Sequence, residues 1–160
     1  MIKNKGKIIL ACTFTVLTLC MIGFIFFQST LPAVDSSRES GRVVTFLNKI
    51  TVFFGFGEMF TQNFVRKCAH LTEFAALGTL ASLTFLSYKL KWKTSLALAP
   101  VLSFVVAVID ESLQLFSEGR SFQITDICID TAGGIISAVF LLLIFIIFVN
   151  KNKRMKKSND

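Results

Sequence analysis

Ionisable side chains interrupt the chain's long apolar segments at spacings that place them on common helix faces. Arg66, His70 and Glu73 occupy positions i, i+4 and i+7, so a helix carries all three on one face. A histidine next to a carboxylate is suited to general base catalysis, because the carboxylate fixes the imidazole tautomer and raises its basicity. The candidate catalytic residues are His70, Glu73, Asp110 and Glu111.

A second group of polar side chains is suited to binding. Asp110 and Gln114 are four residues apart and share a helix face. Asp126 and Asp130 have the same spacing. Basic side chains near them would hold phosphate or carboxylate groups through charge-assisted hydrogen bonds. The predicted ligand-binding residues are Arg66, Lys67, Gln114, Arg120, Asp126 and Asp130.

A metal-binding interpretation of the same region stays open. Under it, His70, Glu73 and Asp110 would ligate a divalent cation. The sequence contains no H-E-x-x-H, no G-x-S-x-G and no P-loop, the motifs that would indicate a named mechanism. We therefore predict no metal and no cofactor, and the sequence does not decide whether the protein is an enzyme.

The elements that must position these residues follow from the composition. Hydrophobic residues make up 53% of the 160 residues and charged residues 17%, and the mean hydropathy is +0.67. Because soluble domains carry about 25% charged residues, this composition excludes a soluble enzyme core, a coiled coil and a disordered chain. Four segments reach the roughly 20 apolar residues that cross a bilayer. We predict a single domain over residues 1–160, an all-α integral membrane protein with four transmembrane helices.

The predicted spans are residues 8–27, 68–88, 94–116 and 127–149, with a first outer loop at 28–67 and a basic cytoplasmic tail at 150–160. The first loop is too long for a simple connection. Its apolar residues recur at helical spacing, which predicts an amphipathic helix over about 37–54 at the membrane interface. Ser36 and Glu39 have the spacing of a capping box at its start, and Gly55 and Gly57 would end it. This helix could be a packing lid or could contact a substrate.

The distribution of basic residues predicts the orientation. Lys and Arg favour the cytoplasmic side of a membrane. With both termini cytoplasmic, the inner segments hold eleven of the seventeen Lys and Arg but one of the ten acids. Because successive spans alternate in direction, the polar ends of the last three spans all lie within about 10 Å of the outer boundary. We predict a multi-pass cell-membrane protein, N-in and C-in, with a polar pocket open to the outer leaflet.

Two other features have ordinary interpretations. The net charge of +7 does not indicate nucleic-acid binding, because the basic residues flank apolar runs and do not cluster on a folded face. The cysteines Cys12, Cys20, Cys68 and Cys128 lie in apolar runs without C-x-x-C spacing, so we predict buried small hydrophobic residues. Cys68 and Cys128 lie near the same predicted membrane face, where a disulfide could form.

Two motifs resemble the VanZ-like family of membrane proteins. Residues 66–78 resemble the family signature R-K-x-x-H-x-x-E-[FY]-x-x-L-G. Residues 110–116, followed by Gly119, Arg120, Asp126 and Gly133, resemble D-E-x-x-Q-x-F…G-R…D…G. The pair Gln28-Ser29 and the serines Ser36 and Ser40 also match the family's pattern. The resemblance covers about residues 26–134, with a departure at Asp130, where the family more often has asparagine.

The resemblance implies a protein linked to the bacterial cell envelope and to low-level teicoplanin resistance. We predict that the pocket binds an amphiphilic envelope ligand, a membrane lipid or a lipid-linked cell-wall intermediate, and modulates glycopeptide or lipoglycopeptide susceptibility. No nucleic-acid partner is expected, and no particular protein partner is indicated. The alternative is a small intramembrane hydrolase or transferase that acts on a lipid-linked substrate through His70, Glu73 and Asp110. A third interpretation is a buried ionic network that only joins the helices.

Overall fold

Long apolar runs cross a bilayer as helices because lipid offers no hydrogen-bond partner to the backbone. The computed structural model describes the backbone of residues 2–157 and the side-chain surroundings of residues 5–148. It contains α1 (Ile2–Thr30), α2 (Ala33–Phe53), α3 (Gln62–Ser87), α4 (Trp92–Gln114) and α5 (Ile124–Lys157), and no strand among the described residues. Four of these helices are long and apolar enough to cross a membrane. The predicted all-α class with four spans is confirmed.

The helices extend further than hydropathy alone indicates. The side chain of Thr61 caps α3, accepting a hydrogen bond from the backbone N–H of Phe64 at 3.3 Å. As a result α3 begins at Gln62, and Arg66 and Lys67 lie inside this helix instead of before it. The predicted basic tail is partly helical, since α5 continues to Lys157. Residues 158–160 of that tail lie outside the described residues.

The start of α2 differs from the sequence-based expectation. The helix begins at Ala33, directly after Pro32, so Ser36 and Glu39 lie within it and do not form a capping box at its start. Proline has no N–H and a fixed φ, here −55°, which separates α1 from α2 and favours a new helix start. The free N–H of Ala33 is satisfied by the carbonyl oxygen of Glu118 at 3.0 Å. This bond joins the α1–α2 corner to the α4–α5 loop.

The end of α2 is where the glycines predicted it. Gly55 and Gly57 have φ of 81° and 74°, a left-handed conformation that glycine adopts without steric cost. The N–H of Gly55 donates to the carbonyl of Val52 at 3.0 Å, and the N–H of Phe56 donates to that of Thr51 at 2.9 Å. These two bonds form a Schellman motif, which satisfies the last carbonyls of the helix.

The four spanning helices pack around a small apolar core. Its buried residues are Ile25, Phe74, Leu77, Val106, Ala107 and Ile127. Alternation of the chain direction brings the end of α1, the start of α3, the end of α4 and the start of α5 to one end of the bundle. This end also carries α2, and we call it the α2 end. The hydroxyl of Ser117 in the α4–α5 loop donates to the backbone carbonyl of Ser29 there, at 2.6 Å.

Helices α3 and α5 approach each other closely because small residues line their contact. At Gly133 a Cβ atom would lie 2.5 Å from the carbonyl oxygen of Leu71 and 3.0 Å from the backbone nitrogen of Ala75. Such contacts between backbones are typical of small residues at membrane helix interfaces. Asp130 precedes Gly133 by about one turn, so the close approach holds its side chain against α3.

The cysteines do not lie where the sequence predicted. All four (Cys12, Cys20, Cys68 and Cys128) are free and exposed on the outside of the bundle, so their predicted burial is wrong and Cys68 and Cys128 form no disulfide. The physical reason is that the outer face of a spanning helix meets lipid, which accepts a small, weakly polar thiol as readily as a protein core does.

Candidate functional site

A polar cavity of about 190 Å³ lies at the α2 end, between α1, α2, α3 and α4 and beneath the α4–α5 loop. Its lining includes the sequence-predicted residues Arg66, His70, Glu73, Asp110 and Arg120. Since one water molecule takes about 30 Å³ in the liquid, the cavity has room for a few waters or one small polar group. It can hold a headgroup but not an acyl chain.

One wall of the cavity is a hydrogen-bonded carboxylate on α4. Asp110 is fully buried, and it accepts hydrogen bonds from the hydroxyl of Ser29 and from Nε2 of Gln114, the latter at 3.1 Å. Gln114 also donates to Glu111 at 2.9 Å, and the other oxygen of Glu111 accepts from the backbone N–H of Gln123 at 2.7 Å. Glu111 and Gln114 therefore lie behind Asp110 and orient it, and neither lines the cavity.

The partner of His70 is not the one expected from its own helix. Nδ1 of His70 lies 3.5 Å from a carboxylate oxygen of Asp130 on α5. Among the described residues, no hydrogen bond or ion pair joins His70 to Glu73, so the pairing inferred from the i, i+3 spacing is wrong. The close packing of α3 on α5 explains the difference, because it brings Asp130 within reach of His70, while both His70 and Glu73 line the cavity.

The three basic residues among the predicted ligand-binding residues differ in their partners: Lys67 forms an ion pair, whereas Arg66 and Arg120 form none within the described residues. Nζ of Lys67 lies 3.5 Å from a carboxylate oxygen of buried Asp126, so these two predicted ligand-binding residues contact each other, and neither lines the cavity. Arg66 and Arg120 line the cavity, and within the described part of the chain neither forms an ion pair. Burial lowers the pKa of Arg120, and the nearby charge of Arg66 lowers it further. The carboxylates of Asp110 and Glu111 act on that pKa in the opposite direction, but the charges of Arg66 and Arg120 still repel each other.

The position of Arg120 follows from the bonds that hold the α4–α5 loop. The loop is joined to α1 by the hydroxyl of Ser117 and to α2 by the carbonyl of Glu118. The backbone N–H of Arg120 then donates to the carbonyl of Ser117 at 3.2 Å, which closes a turn. This turn places the half-buried guanidinium over the cavity formed by the other helices.

A group of three side chains could hold a metal ion. One ligand atom each from His70, Asp110 and Asp130 lies within 4.8 Å of the others. The three residues come from α3, α4 and α5, the three helices whose polar ends the alternating topology brings together. Glu73, which the sequence suggested as a metal ligand, is not in this group, and Asp130 takes its place.

Five polar residues of α1 and α2 also line the cavity, although none of them was predicted as a site residue. These residues are Gln28, Ser29, Ser36, Glu39 and Ser40. A signal for them was present, because Gln28 and Ser29 end an otherwise apolar span. Ser36, Ser40 and Val43 stand at i, i+4 and i+7 and therefore share one face of α2. That face covers the cavity.

The fold and this cavity define a small multi-pass membrane protein with a cluster of buried acids at one end of a four-helix bundle. The model of the VanZ/LLP1 family matches residues 14–148, which include both motifs, the last three spans and most of the first. The chain belongs to the VanZ/LLP1 family, and the resemblance seen in the sequence is confirmed. No curated protein and no solved structure matches the chain.

Proposed function

We propose that the protein binds the phosphate or carboxylate headgroup of an amphiphilic cell-envelope molecule in the polar cavity. The observation that carries this proposal is the pair of guanidinium groups of Arg66 and Arg120. They line one cavity, and neither has an ion-pair partner among the described residues. Guanidinium groups bind phosphate and carboxylate oxygens in a bidentate manner. An anion between them would relieve the repulsion that helps to lower the pKa of Arg120.

The amphiphilic character of the ligand follows from the rest of the lining. Apolar side chains of Ile25, Leu31, Val43 and Val65 share the cavity with the polar ones. The cavity is too small for an acyl chain, so the chain of a bound molecule would continue into the surrounding lipid. Membrane lipids and lipid-linked cell-wall intermediates both have this form, and both carry a phosphate ester. Binding such a molecule would change what teicoplanin or a related lipoglycopeptide meets at the cell surface.

The cavity would face the outer leaflet of the cell membrane, with both termini in the cytoplasm. The excess of Lys and Arg at the termini and in the loop between α3 and α4 supports this orientation. We expect single cysteines at Ser37, exposed on α2, and at Ser158, outside the described residues, to be labelled from opposite sides of the membrane. The four exposed native cysteines are first replaced by alanine. Equal labelling of both positions by an impermeant maleimide in intact cells would contradict the orientation.

The headgroup proposal is tested by the binding of defined lipids to the purified protein. Arg66→Ala and Arg120→Ala each remove one charge-assisted donor, worth about 1.5–3 kcal/mol. We therefore expect affinity for phosphatidylglycerol and for a polyprenyl phosphate to fall between about tenfold and a hundredfold. Native mass spectrometry of the protein with each lipid measures this.

Arg38→Ala is the matched control, because Arg38 is exposed on α2 and does not line the cavity. Diacylglycerol has the acyl chains but no phosphate. It should therefore bind the wild type and all three variants equally weakly. Equal loss in the three variants, or equal binding of diacylglycerol and the phosphate lipids by the wild type, would refute the proposal.

A second candidate function is hydrolysis or group transfer on a lipid-linked substrate. The observation that favours it is the pair of His70 and Asp130, 3.5 Å apart at the edge of a cavity that Glu73 and Asp110 also line. A carboxylate that orients an imidazole is a common arrangement for a general base. Release of a phosphate-containing product from polyprenyl lipids, lost in His70→Gln, would favour this function over binding alone.

A further inference from the structure

Three helices converge on one point at the α2 end through side chains that commonly ligate metals. The imidazole of His70 on α3 and the carboxylates of Asp110 on α4 and Asp130 on α5 each offer an atom within 4.8 Å of the other two. Ligands that share a zinc ion stand about 2.0–2.2 Å from it and therefore less than about 4.4 Å from each other. The separation of 3.5 Å between His70 and Asp130 already satisfies this limit. Small rotations of the side chains would bring the other ligand atoms, now within 4.8 Å of one another, inside the same limit.

Burial without hydrogen bonds independently points to a cation here. Asp130 is 0% exposed, and neither of its carboxylate oxygens has a hydrogen-bond partner; Nδ1 of His70 also has none. Leaving a buried charge without such bonds is costly, so groups of this kind are normally paired or coordinate a metal. The 3.5 Å contact between His70 and Asp130 leaves the second oxygen of Asp130 without a donor.

Asp110, the third candidate ligand, is oriented by hydrogen bonds from neighbouring side chains. Asp110 accepts one hydrogen bond from Ser29 and another from Gln114, and Gln114 is itself fixed by Glu111. Hydrogen bonds of this kind orient carboxylates that ligate metals, and a histidine ligand usually makes a similar hydrogen bond. Asp110 is thus positioned by partners from α1 and α4, while its carboxylate remains at the cavity wall.

The buried charge around the cluster also favours a bound cation. Asp110, Glu111 and Asp130 are all fully buried, and in the described part of the chain only His70 lies within ion-pair distance of any of them. The ion pair of Lys67 is with Asp126 instead. A divalent cation would offset these charges, whereas the alternative is that one of the carboxylates or the imidazole carries an additional proton.

We infer that His70, Asp110 and Asp130 form a binding site for a divalent cation of the zinc or manganese type. An imidazole nitrogen with two carboxylate oxygens suits these ions better than calcium or magnesium, which prefer oxygen ligands alone. Two of the three ligands, His70 and Asp110, also line the cavity, which resembles the open position of catalytic metal sites more than the closed shell of structural ones. This inference replaces the sequence-based expectation of no metal and does not rest on the proposed headgroup, since all three ligands belong to this chain.

The test is the metal content of the full-length protein purified in detergent and dialysed against Zn²⁺ or Mn²⁺, followed by metal-free buffer. We expect about one ion per chain by mass spectrometry of the metal. Asp130→Asn and His70→Gln, which nearly preserve volume, should retain less than a tenth of it. Asp126→Asn is the matched control, because Asp126 is a buried acid at the same end of α5 that contacts Lys67 instead.

A second measurement does not depend on the folding of any variant. Treatment of the wild-type protein with a chelator should lower its melting temperature, and one equivalent of Zn²⁺ or Mn²⁺ should restore it. Wild-type protein that binds less than a tenth of an ion per chain and melts alike with and without chelator would overturn the inference in favour of an added proton. Equal loss of metal in Asp126→Asn would also overturn it. Neither outcome bears on lipid binding by the Arg66 and Arg120 variants, which is measured separately.

Discussion

Expression of the protein is expected to shift the teicoplanin susceptibility of a bacterial host, and Glu73→Gln and Asp110→Asn are each expected to abolish this shift while leaving the abundance of the protein in the membrane near that of the wild type. Both substitutions remove a negative charge from the cavity wall but keep the shape of the side chain. The carboxylate of Asp110 stabilises the positive charge of Arg120, and that of Glu73 stabilises a positive charge on His70. Loss of either carboxylate should therefore weaken the cationic groups that would hold the headgroup. The measurement is the shift in susceptibility of a bacterial host on expression, with the membrane level of each variant determined in parallel.

The hydrogen bonds of Asp110 explain why asparagine should preserve the fold. Its amide oxygen can accept from Gln114 as the carboxylate does, and its NH₂ group can donate to Ser29, whose hydroxyl can also act as an acceptor. Glu73 has no hydrogen-bond partner among the described residues. Glutamine at this position therefore deprives no described residue of a hydrogen bond.

Asp110→Leu is the contrasting variant, because it leaves the hydroxyl of Ser29 without its acceptor and leaves Gln114 with Glu111 as its only acceptor among these residues. Each buried unpaired group costs about 1–3 kcal/mol, so this variant should lose abundance as well as activity. Arg120→Ala should weaken the effect with little loss of protein, since Arg120 is only half-buried and forms no ion pair within the described residues. If Glu73→Gln, Asp110→Asn and Arg120→Ala all lose protein in proportion to activity, the polar cluster only joins the helices.

The four spans and the common depth of their polar ends could be predicted from the sequence. Hydropathy marks a span because an unsatisfied backbone cannot cross lipid. Alternation of direction then places the start of α3, the end of α4 and the start of α5 at one end. Arg66, His70, Asp110 and Arg120 consequently share one cavity in the structure, as their positions along the chain indicated.

The pairing within that cavity could not be predicted, because it depends on rotation of the helices and not on depth. Spacing along α3 favoured Glu73 as the partner of His70, but the partner is Asp130 on α5. Glu111 and Gln114 share the end of α4 with Asp110, yet they lie behind the cavity wall. The packing of α3 against α5 decides the first orientation, and the bond from the backbone of Gln123 to Glu111 contributes to the second. Periodicity within one helix contains no information on either.

The helix ends were predictable only where local chemistry acts alone. Gly55 ends α2 as expected, because a left-handed residue stops a helix whatever its surroundings. The start of α2 depends on Pro32 and on a bond from Ala33 to Glu118, a residue far away in the sequence. Among local signals, a capping box at Ser36 best indicated a helix start. The hydrogen bond from Ala33 to Glu118 instead stabilises an earlier start.

Gly133→Ala is expected to destabilise the bundle by about 1–3 kcal/mol, the usual cost of an added methyl group in a tightly packed contact. The new Cβ would lie 2.5 Å from the carbonyl oxygen of Leu71 and 3.0 Å from the backbone nitrogen of Ala75. Backbone atoms cannot rotate away, so α3 and α5 must separate. Thermal unfolding in detergent, followed by the fluorescence of the single tryptophan, Trp92, measures the loss.

Gly23→Ala is the matched control, because Gly23 also lies inside a spanning helix but a Cβ there meets no atom within 4 Å. Its melting temperature should stay equal or rise slightly, since alanine favours a helix over glycine by about 1 kcal/mol. Separation of α3 from α5 in Gly133→Ala should also lengthen the 3.5 Å contact between His70 and Asp130. The same variant should therefore lose metal affinity together with stability. If Gly133→Ala and Gly23→Ala melt alike, the two helices do not approach closely, and neither the position of Asp130 nor the metal site that depends on it would hold.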